Sequence, residues 1–121
     1  MFPDTNELVA SQRIIAGPPA VQVTVTYRDE FVGRFTLRQV NKVMAYSCDL
    51  FIRQDLQGKG LYRPLHQLKC KIARERGFRT LIATVKADNE HELKAAERNG
   101  WTIYTSIDGL VGRLYFMMYR L

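Results

Sequence analysis

Cysteine is scarce in this chain of 121 residues: Cys48 and Cys70 stand alone. They share no CxxC spacing, which excludes a disulfide framework or a zinc ribbon as the source of stability. Histidine is as thin, with only His66 and His91. His91-Glu92 opens like a zinc-protease helix, but Ala95 stands where the second histidine is required, so no metal site is expected. No apolar run approaches the ~20 residues that cross a bilayer, and no secretory signal is recognisable. A reduced, cytoplasmic protein without membrane contact is therefore the expectation. Internal repeats and low-complexity stretches are missing too, which sets aside solenoids and disordered linkers.

What is present is ordinary core material. The chain is 46% hydrophobic and 25% charged, the makeup of one globular domain that buries about two-thirds of its surface on folding. A single domain over residues 1–121 is expected. The net charge is +6. Between Arg53 and Gly100 there are 11 basic and 6 acidic side chains, so +5 of that total lies there. Such an excess suits a polyanionic ligand. Nucleic acid is the weaker candidate, because aromatics do not interleave with the basic residues and no DNA- or RNA-binding motif is visible.

Residues Asp4 to Ile15, with Leu8, Val9, Ile14 and Ile15 behind an Asp4 cap, read as a short helix stopped by Gly17-Pro18-Pro19. Val21, Val23, Val25 and Tyr27 alternate with polar residues, the period of a strand with one buried face. Phe31–Val40 and Val43–Ile52 continue as strands, the last apolar on both faces at Leu50-Phe51-Ile52. Leu61, Leu65, Leu68 and Ile72 then mark an amphipathic helix that closes at Gly77, with Pro64 tolerated in its first turn. A strand at Thr80–Ala87, a helix over Asn89–Gly100 and strands at Trp101–Ile107 and Leu114–Leu121 complete the chain. The order predicts an α/β (α+β) sheet with helices on both faces.

The chemistry gathers where the central strand ends in Gln57-Gly58-Lys59-Gly60 and a helix opens. The first amides of a helix lack intrahelical acceptors, and the macrodipole adds positive charge there. Glycines let backbone amides close on phosphate oxygens, and Lys59 and Arg63 add full charges. Two nucleotide loops fail on spacing. The Walker loop needs GxxxxGK before Ser or Thr, and the dinucleotide fingerprint needs a third glycine where Arg63 stands.

This segment resembles the signature of the GNAT N-acetyltransferase superfamily, which reads Gln or Arg, two residues, Gly, one residue, then Gly or Ala. Gln57, Gly60 and Tyr62 occupy the marked positions, and Tyr62 departs from the pattern. Downstream the family has Asn at a helix start, with Gly and an aromatic eleven and twelve positions later; Asn89, Gly100 and Trp101 keep that spacing. Tyr115–Leu121 is similar to the family's last strand. The resemblance covers about residues 21–121. It implies a single GNAT-like domain, its sheet mixed, mostly antiparallel and splayed at the centre beside Ile52, behind a reduced N-terminal helical region at 1–20.

The resemblance further implies acetyl-coenzyme A as the cofactor. Its pantetheine would lie along the backbone of Leu50, Phe51 and Ile52. Its pyrophosphate would rest on the loop Gln57, Gly58, Lys59, Gly60, Leu61, Tyr62 and Arg63. Asn89 would add a contact, although with Glu92 it also makes a capping box. The family's usual tyrosine acid falls at Ala96 here, which leaves Tyr46 as candidate proton carrier, with Cys48 on the same strand wall. The implied activity is acetyl transfer to a primary amine of a protein or small molecule, by direct attack in a ternary complex. The monomer or homodimer is the implied assembly. Ala96, Tyr62 and the short N-terminal region keep open a catalytically silent binding or assembly module, a compact form familiar among virus-encoded proteins.

Overall fold

The computed structural model describes residues 7–15, 19–110 and 112–121. Seven strands, β1 (Leu8–Ile15), β2 (Ala20–Tyr27), β3 (Glu30–Gln39), β4 (Met44–Ile52), β5 (Thr80–Lys86), β6 (Thr102–Gly109) and β7 (Gly112–Arg120), form one sheet in the order β1-β2-β3-β4-β5-β7-β6. Two helices are described, α1 (Tyr62–Glu75) and α2 (Glu90–Arg98). All strand pairs are antiparallel except β4 with β5, which α1 joins as a crossover. Neither helix is long and apolar enough to cross a membrane.

The helix expected at the start of the chain is replaced by β1. Leu8, Val9, Ile14 and Ile15 are spaced to suit either state, but β2 carries an open edge of backbone donors and acceptors. β1 pairs along that whole edge, from Leu8↔Tyr27 to Ile15↔Ala20, and so satisfies groups that a short helix would leave to water. The Asp4 cap and the Gly17-Pro18 stop lie outside the described residues.

The loss of that helix also decides the layers. Both α1 and α2 pack on one face of the sheet, where the expectation put helices on both. One apolar cluster joins Leu65, Leu68 and Ile72 of α1 and Ala96 of α2 to Val23, Phe35 and Leu81 of the sheet. The other face carries Gln22, Thr24, Arg34, Thr36 and Arg38, whose cross-strand registers put them together. The period-two reading of β2 holds, since Val21, Val23 and Val25 are all buried. Its turn into β3 has Arg28 and Asp29 at φ 51° and 66°, the two left-handed residues of a tight hairpin.

Two local features set the geometry of the site. The first is Gly33 of β3. A Cβ there would stand 2.8 Å from the Phe51 carbonyl oxygen and 3.2 Å from Leu65 Cδ1, so α1 seats against β3 and β4 only because that atom is missing. Gly33→Ala is expected to destabilise the fold by about 1–3 kcal/mol through overpacking, read as a lower urea midpoint with an unchanged slope.

The second is a bulge in β4. Thr36 pairs with Cys48, but Arg34 pairs with Phe51, so β4 holds one residue too many. Asp49 absorbs it at φ 54°. Strict alternation would place Leu50 with Tyr46 and Cys48, and Phe51 with Asp49; the extra residue reverses this. Leu50 and Ile52 turn to the helix-covered side. Phe51 turns the other way, 6.1 Å from the Phe31 ring and 4.9 Å beneath the Arg34 guanidinium.

Candidate functional site

Past β4 a short 3-10 turn, Gln54–Leu56, leads into the glycine loop. Arg53 anchors the entry, with Nε donating to Asp55 at 2.7 Å and Nη1 to the Phe31 carbonyl at 2.8 Å. Gln57 Nε2 donates to the Ile52 carbonyl at 3.0 Å, tying the loop to the end of β4. Gly58 and Gly60 take φ of 75° and 84°, and nothing stands within 4 Å of where their Cβ atoms would be. These glycines are therefore needed for backbone shape, and they leave open space above the loop.

That shape turns the amides outward. Lys59 N–H bonds the Leu56 carbonyl and Leu65 N–H bonds the Leu61 carbonyl. The N–H groups of Gly58, Gly60, Leu61, Tyr62 and Arg63 have no acceptor among the described residues, and no side chain caps α1. Pro64 has no amide to satisfy. Five free donors thus stand at the positive end of a helix dipole.

The amides open onto a cleft of about 1060 Å³ between α1 and α2. Its α1 wall includes Tyr62, Arg63 and His66, and its α2 wall includes Asn89, Glu92 and Arg98. Asn89 caps α2: its Oδ1 accepts the Glu92 N–H at 3.3 Å. The expected capping box is only half made, because the Glu92 carboxylate accepts from the Asn89 side-chain amide at 2.7 Å while Asn89 N–H goes to the Lys86 carbonyl.

The cleft continues into the sheet. β4 and β5 pair only at Met44↔Thr80, Ala45↔Leu81 and Tyr46↔Ile82, after which β5 runs on with β7 and leaves β4. The opening is a second cavity of about 340 Å³, and it shares Leu50, Tyr62 and Glu92 with the cleft. Tyr46 and Cys48 line it from β4. Tyr46 Oη lies 2.8 Å from Thr84 Oγ1, a hydrogen bond from β4 across to β5. Burial raises the Cys48 pKa, with Asp49 adding to the effect, so Cys48 stays a thiol and is a poor nucleophile.

At this point the family is decided. The sequence matches the model of the acetyltransferase (GNAT) family over residues 2–101. The chain belongs to that family. Solved GNAT-fold structures agree in shape at low identity. A GNAT family acetyltransferase from Elizabethkingia anophelis with acetyl-CoA bound has a TM-score of 0.84 at 10% identity, over 96% of this chain and 99% of that one. An acetyltransferase from Bacillus subtilis in complex with CoA has 0.78 at 16%, over 84% and 77%. An IAA acetyltransferase from Bacillus cereus ATCC 14579 has 0.77 at 14%, over 84% and 78%. No curated protein matches the sequence.

As a GNAT domain the chain has two side chains in the site to which the sequence assigned no role, His66 and Lys69, and a third, Tyr62, whose burial it did not show. His66 is buried between Tyr62, Trp101 and Tyr119. Burial, with Lys69 and Arg74 nearby, lowers its pKa to about 4. Tyr62, a departure from the family loop, lines both cavities, and burial pushes its phenol up to about 12. Lys69 is 3% exposed. It was legible as an anomaly, because it lies four residues after Leu65 and three before Ile72, on the apolar stripe of α1.

His66 makes a prediction. Its imidazole is neutral in the fold down to about pH 4 but takes a proton near 6.5 when unfolded, so the unfolded chain binds more protons in between. Stability is expected to be full above pH 6.5 and to fall as the pH drops toward 4. Its ring proton shifts in NMR should stay flat down to pH 5; a midpoint near 6.5 would sink this reading.

Proposed function

We propose that the chain is an acetyl-coenzyme A dependent N-acetyltransferase that acts on a primary amine by direct transfer in a ternary complex. One observation carries the reading: five unpartnered amides, of Gly58, Gly60, Leu61, Tyr62 and Arg63, stand at the head of a cleft that runs into a gap in the sheet. A diphosphate fits the first and a slender amide-bearing arm fits the second. Membership of the acetyltransferase family supports both assignments.

In this reading the loop amides hold the pyrophosphate, and Lys59 and Arg63 offset its charge. Gln57 acts through the backbone, since its side chain is committed to the Ile52 carbonyl. Beyond Tyr46, the β4 backbone at Leu50, Phe51 and Ile52 has no β5 partner, and it would pair with the pantetheine amides. Asn89 keeps its capping bond and reaches the same cleft. The bound cofactor would supply an activated acyl thioester. Tyr46 would carry a proton across the gap with Thr84, and Cys48 would wall it. We also propose a cytoplasmic setting, which suits two free thiols.

Ala96 favours one alternative, a GNAT-like binding or assembly module without turnover, because that position is apolar and buried. Calorimetry with acetyl-coenzyme A, coenzyme A and a short DNA duplex comes first. Binding of the two cofactors and not the duplex is expected. Thiol release with a panel of primary amines then separates catalyst from module. Duplex binding without cofactor binding would overturn the proposal.

A further inference from the structure

We propose that Lys69 is the group that receives the departing sulfur in the sheet gap, holding the thiolate and giving it a proton. The inference rests on the acetyl-transfer reading of the site. Lys69 rises from α1 with only 3% of its surface exposed, and among the described residues it is the one basic side chain lining the gap. Its ammonium has no hydrogen-bond or ion-pair partner among the described residues, and it lies over the Phe35 ring, 5.6 Å from the ring centroid. Nζ itself keeps some accessible surface although the residue is largely buried, and an ammonium so desolvated beside an open cavity is unfavourable unless something anionic completes it.

The surroundings favour sulfur as that partner. The titratable groups around Lys69 are Cys48, Tyr46 and Asp49 of β4, Glu92 of α2, and Tyr62, His66 and Cys70 of α1. Asp49 is exposed, and Glu92 is half-buried, its pKa raised by burial and drawn back down by Lys69, yet neither carboxylate stands in ion-pair contact with the ammonium. Desolvation brings the Lys69 pKa down to about 8, close to the ~8.5 of an ordinary thiol. Proton transfer to a thiolate is then nearly level, which is where an acid works best. Tyr62, at about 12, is a far weaker donor, and Tyr46 is already bonded to Thr84.

The step balances. The acceptor nitrogen bonds the acyl carbon, the carbon–sulfur bond breaks with its electron pair on sulfur, and Lys69 Nζ gives one proton to that sulfur. The products are an amide, a free thiol and neutral Lys69. The proton shed by the acceptor nitrogen leaves through the cleft, and Lys69 regains one from solvent.

The test follows the bound thiol and needs no turnover. Coenzyme A and desulfo-coenzyme A are titrated into the wild-type protein and Lys69→Met, and the ultraviolet absorbance of bound thiolate is followed from pH 6 to 10. The expected result is a thiol pKa lowered by about one unit, tenfold in ionisation, in wild type and not in K69M. Desulfo-coenzyme A should bind both proteins equally, which also shows that the variant is folded. Equal thiol pKa values in the two proteins, both binding the cofactor, would overturn the role of Lys69 alone. Failure of wild type to bind either ligand would remove the cofactor reading with it. Mass-spectrometric acetylation of Lys69 on incubation with acetyl-coenzyme A would make it an acceptor and overturn the proposal.

Discussion

Lys69→Met is expected to raise stability by about 3 kcal/mol at pH 7, roughly 10 °C in the melting midpoint. The wild-type ammonium is drawn from a usual 10.5 to about 8 by desolvation, so below pH 8 the fold carries a buried charge that the unfolded chain holds freely in water. Methionine has similar length, fills the same channel and needs no partner. The unfolded state binds more protons between pH 8 and 10.5, so wild-type stability should rise across that window as Lys69 loses its charge in the fold. The advantage of the variant should therefore be greatest below pH 8 and shrink toward pH 10.5. Melting curves at five pH values check this; a gap that is constant with pH would mean that the buried ammonium is not what destabilises the wild type. A residue that lowers stability while lining the site fits the usual trade between stability and function.

Reversing both charges of the phosphate loop, Lys59→Glu with Arg63→Glu, is expected to weaken coenzyme A binding by one to two orders of magnitude, about 1.4–3 kcal/mol. Both side chains are exposed, so the melting midpoint should move by only a degree or two. The loss should shrink in high salt, since exposed charges are screened. Pantetheine, which has no phosphate, should bind the variant as it binds the wild type. An equal loss for pantetheine would show that the substitutions disturbed the gap and not the anion site.

The loop was legible because it is local. Gly58 and Gly60 announce left-handed backbone, and the helix that follows is marked by Leu61, Leu65, Leu68 and Ile72, all buried in the fold. The closing signals held as well. Phe78 N–H bonds the Ala73 carbonyl and Trp101 N–H bonds the Ala96 carbonyl, so both helices end in the Schellman pattern at the glycines that were read as their stops.

The misreadings were all non-local. Residues 8–15 became a strand because β2 had an edge to fill, and nothing within those residues records that edge. Leu50 and Phe51 exchanged faces because of one extra residue at Asp49, which is visible only in the pairing of β4 with β3. Nothing in the segment around His66 marks it as buried, because the rings that close over it, Trp101 and Tyr119, are distant in sequence.

By itself the order of residues determined which segments have a buried face, where the chain must turn through glycine, and where a helix would leave its first amides free. Each is a matter of dihedral preference and side-chain period over a few residues. Tertiary structure alone decided that β4 and β5 part after Tyr46, that both helices share one face, and that Lys69 ends in the resulting gap. Those outcomes depend on which distant backbone edges and apolar surfaces meet, and the balance among such meetings is struck over the whole molecule.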